Sequence, residues 1–240
     1  MASPTDTAND WRRVWARRQR GEASSALQAL IDLDGFDGGA GRIEEPAWRS
    51  YVQRIARDLG MQPGQSVFEI GCGAGAFLLP LHESGMVVSG IDWSASLVAA
   101  ARAAMPAGDF READAGSFAA PPRSQDFVVA NSVFHYFTDT GYAVRVLEAM
   151  LAAADRGVAV LEVPDAASRD AAEGLRRGMM PLRDYEAKYA GLHHQYFERD
   201  LFRTVADRNG FDAELSSQEI AGYAQNPYRF NCLMRRRAKP

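Results

Sequence analysis

At 240 residues the chain has room for one substantial α/β core, but not for two catalytic domains joined by a linker. Hydrophobic residues make up 47% and charged residues 24%, ordinary globular usage that argues against wholesale disorder. With 27 Lys and Arg against 31 Asp and Glu, the formal charge of −4 gives no general attraction to a phosphate backbone or an anionic bilayer, so neither nucleic acid nor membrane is expected as a partner.

The first ten residues, MASPTDTAND, lack the charged and apolar blocks of a secretory signal, and no run approaches the apolar length of a membrane span. The cysteines, Cys72 and Cys232, have neither metal-knuckle nor redox-pair spacing, so a reducing cytoplasm is expected. The basic run 12–20, with Trp11 just ahead of it and Val14 and Trp15 inside it at helical spacing, reads as an amphipathic helix with a solvated face. Helical pattern runs on to the glycine-rich GFDGGAG, which reads as a mobile turn, and Trp48, Val52, Ile55 and Leu59 then mark one face of a helix stopped by Gly60.

From residue 65 strands and helices alternate. Strand SVFEI, a glycine turn, helix 77–84, strand MVVSGID, helix 94–104, a short strand at 109–112 and strand DFVVAN come in order. Helix 141–154, strand GVAVLEV, an irregular insertion, helix 198–209 and strands near FDAEL and YRFNCLM complete the chain. Such alternation predicts a largely parallel sheet with helices on both faces, because parallel strands need crossover connections. Pro80, inside the first crossover helix, predicts a late helix start or a kink.

In VFEIGCGAGAF the glycines Gly71, Gly73 and Gly75 fall between a buried strand and a helix, where a doubly wound sheet binds its ligands. The glycine spacing also fits the looser dinucleotide pattern, so it does not by itself separate a dehydrogenase from other nucleotide binders. The acidic residue ahead of the glycines, Glu69-x-Gly71-x-Gly73-x-Gly75, resembles the first motif of class I S-adenosylmethionine (SAM) dependent methyltransferases of the small-molecule type.

The resemblance covers roughly residues 65–163, and more weakly HHQYFERDLFRTVADRNGF. It implies a Rossmann-like α/β fold with a seven-stranded, mostly parallel sheet, helices on both faces and an antiparallel last strand. It also implies SAM as cofactor. Cofactor contacts would come from Glu69, Gly71, Cys72, Gly73 and Gly75. Asp92 would face the ribose hydroxyls and Trp93 the adenine edge; the alternatives are a carboxylate at a helix N-terminus with Ser94 as cap, and a core tryptophan. Asp114 and the Ala115 amide would meet the adenine, and Asn131 would open the loop facing the methyl group. Members acting on base or glutamine amino groups carry Asn-Pro-Pro-Tyr/Phe there. Ser132 and Val133 replace both prolines, which weakens the case for planar amide acceptors.

Residues 1–50 read as an N-terminal helical extension, and 51–240 as the SAM-binding domain with a lid insertion at 166–197 that includes Met179, Met180, Tyr185 and Tyr189. Where the acceptor must lose a proton, His135 is the first candidate base and the His193–His194 pair the second. No metal site is expected, for want of further ligands at the right spacing. The reading is methyl transfer to a small molecule, with a natural-product or metabolite tailoring role. An NAD-dependent oxidoreductase and a non-catalytic SAM-binding scaffold remain alternatives, as do monomer and homodimer, and the acceptor atom (O, N or C) stays open.

Overall fold

The computed structural model describes Trp11, Trp15, Arg18, residues 23–178, Pro181, Arg183, Leu192 and residues 194–238. His193 and the insertion's Met179, Met180, Tyr185 and Tyr189 lie outside the described residues. Helix α1 (Ala26–Leu33) starts at Ser25, whose hydroxyl accepts from the Gln28 amide. The Gln28 side chain then donates to the Ile43 carbonyl and accepts from the Glu45 amide, tying α1 to α2 (Glu45–Leu59). Residue 50 falls inside α2, and α1 and α2 contribute Leu27, Ile31, Trp48 and Val52 to the same apolar cluster as Val67 and Phe127 of the sheet.

The segment read as a mobile turn is anchored. Phe36 is buried, its carbonyl accepts from the Ile43 amide, and Gly39–Gly41 form a 3-10 turn between them.

The sheet order is β3-β2-β1-β4-β5-β7-β6. Strands β1 (Ser66–Ile70), β2 (Val87–Asp92), β3 (Asp109–Glu112), β4 (Gln125–Asn131) and β5 (Ala154–Pro164) run parallel, and β7 (Arg229–Arg236) lies antiparallel between β5 and β6 (Phe211–Ser217). Helices α3 (Leu78–Glu83), α4 (Ala95–Ala104), α5 (Thr140–Ala153) and α7 (Arg199–Arg208) fill the crossovers, and α6 (Arg169–Gly178) opens the insertion. The side chains of the central strands alternate between two apolar clusters. Phe127, Val129, Ala159 and Leu161 pack on the α1–α4 side, while Val128, Ala130, Val158 and Val160 pack on the α5 and α7 side.

Pro80 costs little where it stands. α3 begins at Leu78, so Pro80 lies in the first turn, where backbone amides have no intrahelical partner to lose. The order reverses between β1 and β4, which pair directly, and ligand clefts open at the carboxyl ends of strands flanking such a switch point.

Candidate active site

β1 runs into Gly71 and Gly73 with φ of 70° and 51°, left-handed backbone that side-chain-bearing residues rarely adopt. A Cβ on Gly71 would strike Val133, and one on Gly73 would strike the Asp34 carboxylate. The turn is thus gripped from both sides, by the loop after β4 and by the end of α1.

Asp92 closes β2. Its Oδ2 accepts from the Gly73 amide at 3.0 Å and its Oδ1 from the Ser94 amide at 2.8 Å. Ser94, expected to cap α4 with its side chain, instead pairs its hydroxyl with Ser96 at 3.0 Å, because the Asp92 carboxylate already serves the helix start. Trp93 is half-buried. Asp114 begins a 3-10 turn at Ala115, and its Oδ1 accepts from the Gly116 amide and the Tyr142 hydroxyl. Asn131, at the end of β4, accepts from the Tyr51 hydroxyl at 3.4 Å.

A cleft of about 900 Å³, mouth included, joins these residues and falls within the size range of small-molecule sites. Glu69, Gly71, Cys72, Gly73, Asp92, Trp93, Asp114, Ala115 and Asn131 all line it, whereas Gly75 lies outside the lining and faces Met105 and Ala101. Its aromatic side comprises Trp15, Phe36, Trp48, Phe77, Tyr136, Phe137 and Tyr142. Trp48 is fixed by its indole N–H, which donates to the Ala76 carbonyl at 2.8 Å.

Asp34 also lines the cleft, a residue the sequence motifs do not mark. It caps α1, and its two oxygens accept from the Ala74 and Ala76 amides at 2.6 and 3.0 Å. The sequence signal was slight: an acidic residue closing an amphipathic helix ahead of a glycine.

The electrostatics are lopsided, since Asp34, Glu69, Asp92 and Asp114 face the cleft while no Lys, Arg or His appears among its described lining residues. Burial, reinforced by the Asp34 and Asp92 charges, pushes the Glu69 carboxyl well above its ordinary range, and Glu69 Oε2 is buried without a hydrogen-bond partner. Burial likewise raises Asp92 to about 6 against the pull of the Ser94, Gly73 and Trp93 amides, and raises Asp34 to about 7 against those of Ala74 and Ala76. Burial, reinforced by the Asp92, Glu69 and Asp34 carboxylates, holds the Cys72 thiol well above its usual value, which disfavours the nucleophilic thiolate.

The candidate bases stand elsewhere. His135 is buried but does not line the cleft, because the 3-10 turn Phe134–Tyr136 presents Tyr136 to the cleft and turns His135 toward His194, with ring centroids 4.8 Å apart. His194 Nδ1 accepts from the Arg176 guanidinium, and the ring stacks on Trp11. Burial, together with Arg176 and Arg229, drives both imidazoles well below their usual pKa. Among the described residues no cluster could hold a metal ion, and no helix is long and apolar enough to cross a membrane.

A buried acidic cradle with an orphaned carboxylate oxygen suits a cationic adenosyl ligand such as SAM, which carries a sulfonium and an ammonium. This sheet order, with such a cradle at its carboxyl edge, defines the class I SAM-dependent methyltransferase fold. The chain belongs to that family: the model described as "Methyltransferase domain" matches residues 41–215, and its cofactor is SAM.

The trans-aconitate 2-methyltransferase of Paracidovorax citrulli is 30% identical over 127 residues, 52% of this chain and 48% of that protein, so the match spans only about half the length of that relative. The enzyme of the same name from Rhizobium etli is 27% identical over 200 residues, 73% of this chain and 76% of the relative. The magnesium protoporphyrin IX methyltransferase of Synechocystis PCC 6803, crystallised with SAM, superposes with a TM-score of 0.62 at 18% identity, covering 99% of this chain and 98% of that one, and shows the shared fold.

Proposed function

We propose that the chain transfers the methyl group of SAM to a small, largely apolar molecule whose accepting atom needs no base from the protein, such as a carboxylate or a neutral amine. The observation that carries this reading is the aromatic wall of Trp15, Phe36, Trp48 and Tyr136, in a cleft whose described lining offers only carboxylates, hydroxyls and indole N–H groups as polar side-chain groups beyond Asn131 and Cys72. When bound, the cofactor supplies an electrophilic methyl group on sulfur. The chain's own part is to hold that end still, keep water out with the aromatic wall, and align the acceptor, contributions that suffice for an in-line displacement. Ser132, Tyr136 and Thr138 offer hydroxyls to orient it. In this reading His135 and His194 support Tyr136 from behind and take no proton. The trans-aconitate relatives, whose named substrate is a small acid, support a small-molecule acceptor, though theirs is more polar than the one this aromatic wall fits.

The test is incubation with methyl-labelled SAM and a panel of aromatic acids, aliphatic polyacids, phenols and amines. Labelled methyl esters or methylamines are expected, the esters being released by mild base. Labelling confined to phenols, or absent across the panel, would overturn the proposal.

A further inference from the structure

Asp34 reaches the glycine turn from outside the strand-and-helix repeat, carried by the end of α1 and held there by its bonds to the Ala74 and Ala76 amides. Arg18 steadies the same corner by donating to the Asp32 carbonyl at 3.2 Å and pairing with Asp37 at 2.6 Å. Asp34 and Asp92 flank Gly73, one against its Cα and the other on its amide. Glu69, 2% exposed, borders the same cleft with Oε2 unpartnered.

Three carboxylates so close in a desolvated cleft repel one another, and no described cationic side chain lines the cleft to relieve them. Arg18, outside the lining, offsets part of this repulsion at Asp34, and a cationic ligand would offset more. SAM offers two cationic centres, and with Asp92 and Asp114 on the adenosyl side the methionyl end is left for the corner between Asp34 and Glu69.

We propose that Asp34 is the ammonium-binding residue of the methionyl end of SAM, so that α1 completes the cofactor site rather than merely covering it. A carboxylate has lone pairs for both turn amides and an ammonium at once, so seating the cofactor need not free the turn. This inference rests on the cofactor assignment but not on the identity of the acceptor.

The experiment is a four-way calorimetric comparison of wild type and Asp34→Asn, each titrated with S-adenosylhomocysteine and with its des-amino analogue. Removing the ammonium should cost the wild type about 10- to 100-fold in affinity, the range of a charge-assisted hydrogen bond, and should cost Asp34→Asn less than about threefold. Because the comparison is made within each protein, general loosening of the turn by the substitution cancels. Equal losses in both proteins, or no loss in either, would overturn the proposal while leaving SAM binding intact. A wild type that binds neither compound would overturn the cofactor assignment itself and this inference with it.

Discussion

Ser132 Oγ donates to Glu162 Oε2 at 2.9 Å, and both residues hold left-handed backbone, with φ of 57° and 58°. Non-glycine residues pay about 1–3 kcal/mol for such torsions, and surroundings must enforce them. Glu162 sits where the β5–β7 register shifts between Val160 and Val163, so the bulge turns its side chain toward the cleft loop. There it also meets Arg229 at 3.2 Å and accepts from the Tyr223 hydroxyl, with both ionic partners buried. Glu162→Ala should therefore destabilise the fold by about 3–5 kcal/mol, since it strands a buried guanidinium. Glu162→Gln combined with Arg229→Met should recover much of that loss. Denaturant titration checks both, and a melt unchanged in Glu162→Ala would show that the bonded cluster does not hold the loop.

The acidic cleft makes stability depend on pH. A carboxyl whose folded pKa lies above its unfolded value binds its proton more tightly when folded, so its contribution is greatest at low pH and fades as pH climbs through the folded value. With Asp92 raised to about 6 and Asp34 to about 7, that loss opens at about pH 4, the value of an unfolded carboxyl, and is nearly complete for these two by about pH 7, while Glu69, held well above its ordinary value, carries it higher. His135 and His194 act oppositely. Depressed in the fold, they weaken it as pH falls below about 6.5, the value of an unfolded imidazole.

The ligand-free protein should thus already be losing this stabilisation below pH 6.5 and lose about 3–6 °C in melting temperature between pH 6.5 and pH 8, the effect of about 1–2 kcal/mol in a chain of this size. Saturating S-adenosylhomocysteine should flatten the alkaline side, as should Asp34→Asn. A ligand-free melting temperature that rises through pH 8 would contradict the desolvated cradle.

Asp92 ties the turn to the cofactor site by accepting the Gly73 amide. Asp92→Ala should lower affinity for S-adenosylhomocysteine about 100-fold or more, the worth of two charge-assisted hydrogen bonds lost together with the turn's brace. Gly73→Ala should do the same by another route, since it places a side chain at φ 51° and against Asp34. Adding Asp34→Ala to Gly73→Ala removes the collision but not the torsional strain, and it also removes the ammonium's acceptor, so melting temperature should recover in part while affinity does not. Calorimetry on the three variants checks this.

The legible part of this protein was its contiguous part. Strands such as SVFEI and DFVVAN are short apolar runs between turn signals, and Glu69, Gly71, Gly73 and Asp92 follow one another within one strand-turn-helix-strand unit, so their order together with the motif resemblance marked them, and they line the cleft. Asp34 stands 40 residues from the Ala74 amide it accepts, and Trp48 stands 28 from the Ala76 carbonyl it binds, distances that no local pattern bridges. Glu162 was hidden for a different reason: a carboxylate inside an apolar strand signals nothing until the bulge and its left-handed torsion reveal which way it points.

His135 offers the sharpest test of how that loop works. Its position after β4 invites the role of general base, but its ring is 2% exposed, its Nδ1 has no partner, and it touches Tyr136 at a centroid distance of 4.0 Å. A base must reach the proton that it removes, and its loss costs turnover about 100- to 10,000-fold together with a limb of the pH–rate profile. A residue that only braces Tyr136 behaves otherwise. His135→Gln should lower turnover less than about tenfold, the scale of a displaced hydroxyl rather than a lost base, and should leave the shape of the pH profile unchanged. Tyr136→Phe should reproduce most of the same loss, and the double variant should be little worse than either, because both changes act through one side chain. Single-turnover rates between pH 6 and 9 settle it, and a profile that loses its acid limb in His135→Gln would return the imidazole to the role of base.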